Sequence, residues 1–135
     1  MSQESRIDLV VRCTEIDVNG HVNNAKYVEY FEWGREDWYE RHGLTHARLL
    51  ALGAITVTVN LNVNYRKEAR QGDELQVVTK AERKGTTSFV LSQELRAASG
   101  LLVADARVVT VTIDPITRKS RPLPEPLAAL FSESE

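Results

Sequence analysis

The chain has 135 residues, a formal net charge of −2, and 42% hydrophobic and 27% charged side chains. That length suits one domain of roughly 100–150 residues, long enough to bury about two-thirds of its unfolded surface. The composition excludes disordered, collagen-like and disulfide-scaffold chains, and the near-neutral balance argues against a nucleic-acid binder, whose affinity rests on Lys and Arg neutralising phosphates.

The polar start Met1-Ser2-Gln3-Glu4-Ser5 lacks the basic region and apolar run of a signal peptide. No apolar stretch reaches the ~20 residues needed to span a bilayer, so the expectation is a cytoplasmic protein without a membrane partner. Ile7–Cys13 reads as a first strand. Cys13 is the single cysteine, which rules out an intramolecular disulfide and a Cys-based zinc site. Beside Val10 and Val11 it is expected to be a buried, inert thiol.

The polar loop Thr14–Gly20 follows, rich in the turn formers Asp17, Asn19 and Gly20. From Asn23 or Asn24 to His42 the apolar spacing predicts a long helix. Tyr27, Phe31, Gly34 and Trp38 form its stripe, widened by Val28, Tyr30 and Trp33. An Asn can cap its first amides and Gly43 can end it. His42 suits the helix C-terminus, where a cation meets the negative end of the dipole. Gly34 costs about 1 kcal/mol relative to Ala in mid-helix, which a close approach of the packing partner would explain. His46 is expected in a loop.

The period then changes to two. Over Ala54–Tyr65, Ile55, Val57, Val59, Leu61, Val63 and Tyr65 alternate with Thr56, Thr58, Asn60, Asn62 and Asn64. That pattern predicts a half-buried strand with the threonines on its polar face. Glu74–Glu82, Ser88–Ala98 and Leu101–Ile113 read as three more strands, joined by turns at Lys84-Gly85 and Ser99-Gly100 that favour antiparallel hairpins. Arg121-Pro122-Leu123-Pro124-Glu125-Pro126 punctuates the chain before a short Leu127–Phe131 helix or tail. One strand, one long helix and four strands make an α+β domain spanning residues 1–135, a single sheet covered on one face by the helix. Tyr30, Trp33, Trp38 and Tyr39 suit an aromatic binding wall or, on a central helix, core and subunit-contact positions, and the second is the expected role.

The chemistry-bearing stretch is Asp17-Val18-Asn19-Gly20-His21-Val22-Asn23-Asn24-Ala25-Lys26-Tyr27. Helix-start amides carry partial positive charge and can polarise a carbonyl. A carboxylate such as Asp17 can serve as base or nucleophile, and His21 can orient a group or relay a proton. By composition alone the same residues suit an ordinary tight loop and cap. No metal-ligand spacing, Gly-rich phosphate loop or dinucleotide fingerprint occurs.

The order of these residues closely resembles the signature of hotdog-fold acyl thioesterases. It looks like the 4-hydroxybenzoyl-CoA thioesterase family, and Asp17–Tyr27 is especially similar to plant acyl-ACP thioesterases. The resemblance implies a long central helix wrapped by a curved five-stranded antiparallel sheet. It also implies a homodimer, or a tetramer of dimers, with sites at the subunit interface. Asp17 would be base or nucleophile, the amide near Asn24 would polarise the thioester carbonyl, and Asn19 and His21 would share the site. The 4-hydroxybenzoyl-CoA enzymes often carry an aromatic residue or His where this chain has Asn24, so the likeness transfers the amide and not the side chain. Tyr27 closes the motif and counts among the substrate-binding candidates.

Related enzymes hold the coenzyme A phosphates at the hairpin after the third strand, here Arg83, Lys84, Thr86, Thr87 and Ser88, residues that equally suit a solvated hairpin tip. Thr56 and Thr58 are candidates for lining the acyl or pantetheine passage, while Arg66, Lys67 and Arg70 read as plain surface. The expected activity is hydrolysis of an acyl-CoA to free acid and coenzyme A, without metal or other cofactor. Acyl-carrier protein stands as the alternative carrier. The rival readings are a hotdog-fold enoyl-CoA hydratase or dehydratase, which typically has a Pro in this loop, and a non-catalytic acyl-CoA-binding protein.

Overall fold

The computed structural model describes residues 4–131, so Met1, Ser2 and Gln3 of the polar start lie outside the described residues. Five strands form one sheet: β1 (Glu4–Val10), β2 (Ile55–Tyr65), β3 (Glu74–Lys84), β4 (Ser88–Ala97) and β5 (Leu102–Ile113). Their order is β1-β3-β4-β5-β2, and every neighbouring pair is antiparallel. Helix α1 (Asn24–Arg41) lies on one face, chiefly against β1, β3 and β4. Two shorter helices, α2 (His46–Ala51) and α3 (Glu125–Ala128), complete the description, and α3 runs into a 3-10 turn at Ala129–Phe131.

Helix α1 starts where its sequence signals place it. The Asn23 side chain accepts from the Ala25 N–H at 2.8 Å, and His42 forms the C-cap with Nδ1 2.8 Å from the Trp38 carbonyl. Gly34 marks the closest approach of helix to sheet. A Cβ there would stand 2.5 Å from Val77 Cγ1 and 3.0 Å from Thr79 Oγ1. The backbone freedom that Gly costs the helix is offset by this contact.

Around Gly34 the core divides. Toward the start of α1, Tyr27, Tyr30 and Phe31 pack with Val77, Leu95 and Ala104; toward its end, Trp38 packs with Leu44, Phe89, Leu127 and Phe131. A polar seam crosses between them. Gln93 donates to the Phe31 carbonyl (2.8 Å) and to Thr79 Oγ1 (2.9 Å), and accepts from Arg35 Nη1 (3.1 Å). Each buried polar atom of this amide thereby has a partner.

Several expectations need correction. The first strand ends at Val10, and the chain turns tightly over Cys13–Glu15, leaving Cys13 exposed rather than buried. Glu15 wins the local contest because its carboxylate accepts from Arg12 N–H (2.9 Å) and Tyr30 O–H (2.7 Å). His46 opens α2 rather than sitting in a loop, because Thr45 caps that helix by accepting from Arg48 N–H.

Strand β2 departs most. Its register against β5 slips between Thr58 and Asn60. An extra residue in one strand swaps the face of everything beyond it. Thr56 and Thr58, opposite Thr112 and Thr110, therefore share the helix-facing side with Leu61 and Val63, opposite Val108 and Ala106. Ile55 and Val57 turn to the outer face with Asn60, Asn62 and Asn64. As an edge strand β2 is also more exposed than its alternation predicts, with Val59 56% and Leu61 36% accessible.

Candidate active site

The Asp17–Asn23 loop is closed by its own backbone. Asp17 N–H donates to the His21 carbonyl (3.0 Å), Gly20 N–H to the Asp17 carbonyl (3.1 Å), and Asn19 N–H to Asp17 Oδ1 (2.9 Å). Gly20 has φ +85°, a left-handed conformation that favours glycine. The loop is then tied down at three points. Ile16 bridges to Val22, Asn23 N–H reaches the Glu15 carbonyl (3.0 Å), and Val22 N–H reaches the Ala69 carbonyl (2.8 Å). The last bond draws the segment after β2 against the motif.

A cleft of about 450 Å³ opens between these two segments. Asp17, His21, Asn24 and Tyr27 line it from the motif, and Tyr65, Arg66, Lys67 and Glu68 from the end of β2 and the loop beyond. At its mouth the first amide of α1 is available: among the described residues the Asn24 N–H has no hydrogen-bond partner. Such an amide at the positive end of a helix dipole is suited to an oxyanion or a polarised carbonyl. One Asp17 carboxylate oxygen is engaged by Asn19 N–H. His21 Nε2 lies 3.8 Å from Glu68 Oε1, and Glu68 is itself paired with Arg70. Carboxylate, imidazole, second carboxylate and free amide thus converge on one cleft.

Four of the expected residues, Asp17, His21, Asn24 and Tyr27, meet here. Asn19 sits in the exposed turn beside them, and its backbone amide rather than its side chain touches Asp17. Tyr27 is buried, and its hydroxyl is committed to the neighbouring loop: it accepts from Ala69 N–H (3.1 Å) and donates to the Lys67 carbonyl (3.2 Å). Burial raises the Tyr27 phenol above its ordinary value. Tyr65 donates to the Asn24 carbonyl (3.1 Å) and stacks obliquely against Tyr27.

Sequence reasoning passed over Tyr65 and Glu68 and took Arg66, Lys67 and Arg70 as plain surface. Arg66 and Lys67 line the cleft instead, with Arg66 paired to Asp105 at 2.9 Å. The overlooked signal is the tight cluster Tyr65-Arg66-Lys67-Glu68, charged and aromatic, at the very end of a strand.

The remaining expected residues stand elsewhere. β3 runs from the cleft end of the sheet to the hairpin tip, so Arg83, Lys84, Thr86, Thr87 and Ser88 lie at the opposite end, roughly 30 Å away by strand rise. Thr56 and Thr58 belong to that far end too, since they pair with Thr112 and Thr110. The tip is ordered by backbone bonds: Gly85 N–H to the Ser88 carbonyl (2.8 Å) and Leu123 N–H to the Thr86 carbonyl (3.1 Å). One copy of the chain therefore holds the two sets of candidates apart. Among the described residues no group of His, Cys, Asp and Glu is arranged to hold a metal, and no helix is long and apolar enough to cross a membrane.

The profile of the Thioesterase-like superfamily matches residues 11–131. The chain belongs to this superfamily. It is 36% identical over 111 residues to the long-chain acyl-CoA thioesterase FadM of Escherichia coli K12, covering 82% of this chain and 83% of that one. It is 30% identical over 119 residues to the acyl-CoA thioester hydrolase YbgC of Escherichia coli O6:H1, covering 88% and 89%. Among solved structures it superposes on YbaW of Escherichia coli, described as a probable thioesterase, with a TM-score of 0.84. That pair is 33% identical, with 93% of this chain and 94% of that one covered. The sheet and its long helix are the hotdog fold of these thioesterases, as the motif implied.

Proposed function

We propose that this chain hydrolyses acyl-CoA thioesters at the cleft between the Asp17 loop and the end of β2. The carrying observation is the convergence of Asp17, His21, Glu68 and the unengaged Asn24 amide within one superfamily member. The thioester carbonyl takes the Asn24 N–H, which stabilises negative charge as it develops on oxygen. The Asp17 carboxylate attacks the carbonyl carbon or removes the proton from an attacking water. Where the carboxylate attacks, breaking the C–S bond leaves a mixed anhydride on Asp17 that water then hydrolyses to the free acid. Where it activates water, breaking the C–S bond yields the free acid directly, and either route releases the thiol of the carrier. The His21 imidazole, with Nε2 3.8 Å from Glu68 Oε1, faces the same cleft and can pass a proton to the leaving sulfur. No metal or redox group enters this scheme.

The functional unit in this reading is a homodimer paired along β2. That edge exposes Val59 and Leu61, and an open apolar strand edge invites a partner strand. Antiparallel pairing of two β2 strands would set the hairpin tip of one copy at the same sheet end as the Asp17 loop of the other. Arg83 and Lys84 would then meet the coenzyme A phosphates at the site of the second copy, which one copy alone cannot do.

A thiol-release screen over acyl-CoA and acyl-carrier-protein esters tests the activity, with light scattering to test the dimer. Turnover of acyl-CoA esters is expected. Hydration of crotonyl-CoA without thiol release would install the hydratase reading, and binding without turnover would make the chain a carrier.

A further inference from the structure

The two walls of the cleft come from distant parts of the chain, and one buried side chain joins them. Tyr27 lies in the first turn of α1, just after the Asn24 amide, and is only 4% exposed. Its ring is held on two sides, edge-on to Tyr30 with centroids 6.3 Å apart and tilted against Tyr65 at 5.3 Å. Its hydroxyl works on the opposite wall, donating to the Lys67 carbonyl at 3.2 Å and accepting from the Ala69 N–H at 3.1 Å. The two bonded groups flank a single residue, Glu68. Before this stretch the Arg66 and Lys67 amides are anchored on the Val103 carbonyl, and after it Arg70 N–H reaches Asp73. Across the stretch itself the Tyr27 hydroxyl is joined only by the bond from Val22 N–H to the Ala69 carbonyl, 2.8 Å.

Glu68 is the residue that needs such a hold. It belongs to no helix or strand, and its side chain is 46% exposed. The carboxylate nevertheless stands 3.8 Å from His21 Nε2, near enough to pair with the ring whenever the ring carries a proton. Arg70 competes for the same carboxylate. Phenylalanine in place of Tyr27 would fill the same space but leave the Ala69 N–H, on a residue 1% exposed, without its partner. Burial raises the Tyr27 phenol above its ordinary value, so the hydroxyl keeps the proton it gives to Lys67 at neutral pH.

We infer that Tyr27 is a positioning residue: its hydroxyl clamps the peptide groups on both sides of Glu68 and so sets that carboxylate opposite His21. The inference rests on the proposed thioesterase site. The single hydroxyl proton is spent on Lys67, so Tyr27 acts through Glu68 and not by donating to substrate. Displacing an active-site group by about 1 Å can cost on the order of 10²-fold in rate.

The test measures thiol release by the wild type, Tyr27→Phe, Glu68→Gln and the double variant, on the acyl-CoA that the wild type turns over fastest. Tyr27→Phe should lower kcat about tenfold or more with KM within about twofold. In the Glu68→Gln background the same change should cost less than about threefold, because no carboxylate is left to place. Hydrogen exchange reads the clamp without turnover. The Ala69 amide should exchange slowly in the wild type and about tenfold or more faster in Tyr27→Phe, with a smaller change at amides in the middle of β4. The wild-type rate alone can overturn the clamp should Tyr27→Phe fail to fold: an Ala69 amide as open as an unbonded loop would do so. Unchanged kcat in Tyr27→Phe, or factors that simply multiply in the double variant, would overturn it as well. Absence of turnover with every acyl-CoA would overturn the hydrolase reading alone, and the exchange rates would still decide the clamp.

Discussion

The two ends of the sheet are built from the same materials and finished differently. At the far end, turns and tail satisfy one another. Arg121 donates to the Leu52 and Gly53 carbonyls at 2.9 and 3.0 Å, Thr112 Oγ1 donates to the Arg121 carbonyl at 2.7 Å, and Leu127 and Phe131 seal the core. At the cleft end the backbone is equally well tied, yet an amide, two carboxylates and an imidazole are left facing one opening. Of these the Asn24 N–H is left without a protein partner among the described residues, beside groups whose charge is held by one another. A helix-start amide next to charged side chains in an opening is where a ligand carbonyl can complete the bonding.

The sharpest way to break that contrast is Asp17→Asn. The amide keeps the size and can still accept from Asn19 N–H, so folding should survive, but the anion is gone. Loss of a positioned base or nucleophile costs about 10²–10⁴ in rate. We expect kcat in the thiol-release assay to fall by that factor with KM little changed. Full turnover by a folded Asp17→Asn protein would reduce the residue to a turn former.

Next in size is Gly34→Ala, which strikes the seam between the two cores and neither end directly. The new methyl would meet Val77 Cγ1 at 2.5 Å, on a strand that cannot retreat. Overpacking of this kind costs about 1–3 kcal/mol, measurable as a lowered urea midpoint. An unchanged midpoint would mean that helix and sheet part more easily than their contacts indicate.

A smaller effect is expected from replacing Arg83 and Lys84 together with Ala. If the far end of one copy serves the cleft of another, KM for acyl-CoA should rise severalfold while kcat holds. A substrate truncated before the nucleotide should show no such rise. Equal effects on both substrates would return the hairpin tip to plain solvated surface.

The smallest concerns pH. Burial and the Glu15 contact raise the Tyr30 phenol well above its ordinary value, and burial raises Tyr27 and Tyr39 as well. The folded chain therefore holds protons that the unfolded chain releases above pH about 10. The stability these phenols contribute is full below that value and is lost as pH rises through their folded values. Urea midpoints taken on either side of pH 10 should fall with pH, and less steeply in Tyr30→Phe. A slope unaffected by that change would place the alkaline sensitivity elsewhere.

Much of this was written locally. Apolar spacing, the Asn cap and Gly43 define α1 within a residue or so, because helix and cap are decided by neighbours a turn apart. The motif Asp17–Tyr27 carries half of the cleft for the same reason: its turn bonds join residues no more than four positions apart. The close approach at Gly34 was legible too, since a glycine in mid-helix needs a cause. What local pattern could not hold is whatever depends on register. Tyr65, Arg66, Lys67 and Glu68 reach the cleft from some forty residues beyond the motif, through the single backbone bond from Val22 to Ala69 and the packing of Tyr27. Likewise the slip after Thr58 turns Thr56 and Thr58 toward the helix, although the written alternation runs unbroken from Ile55 to Tyr65. Sequence periodicity states that a strand has two faces. Which residue falls on which is settled only when the partner strand pairs with it, because one extra residue in the ladder exchanges them.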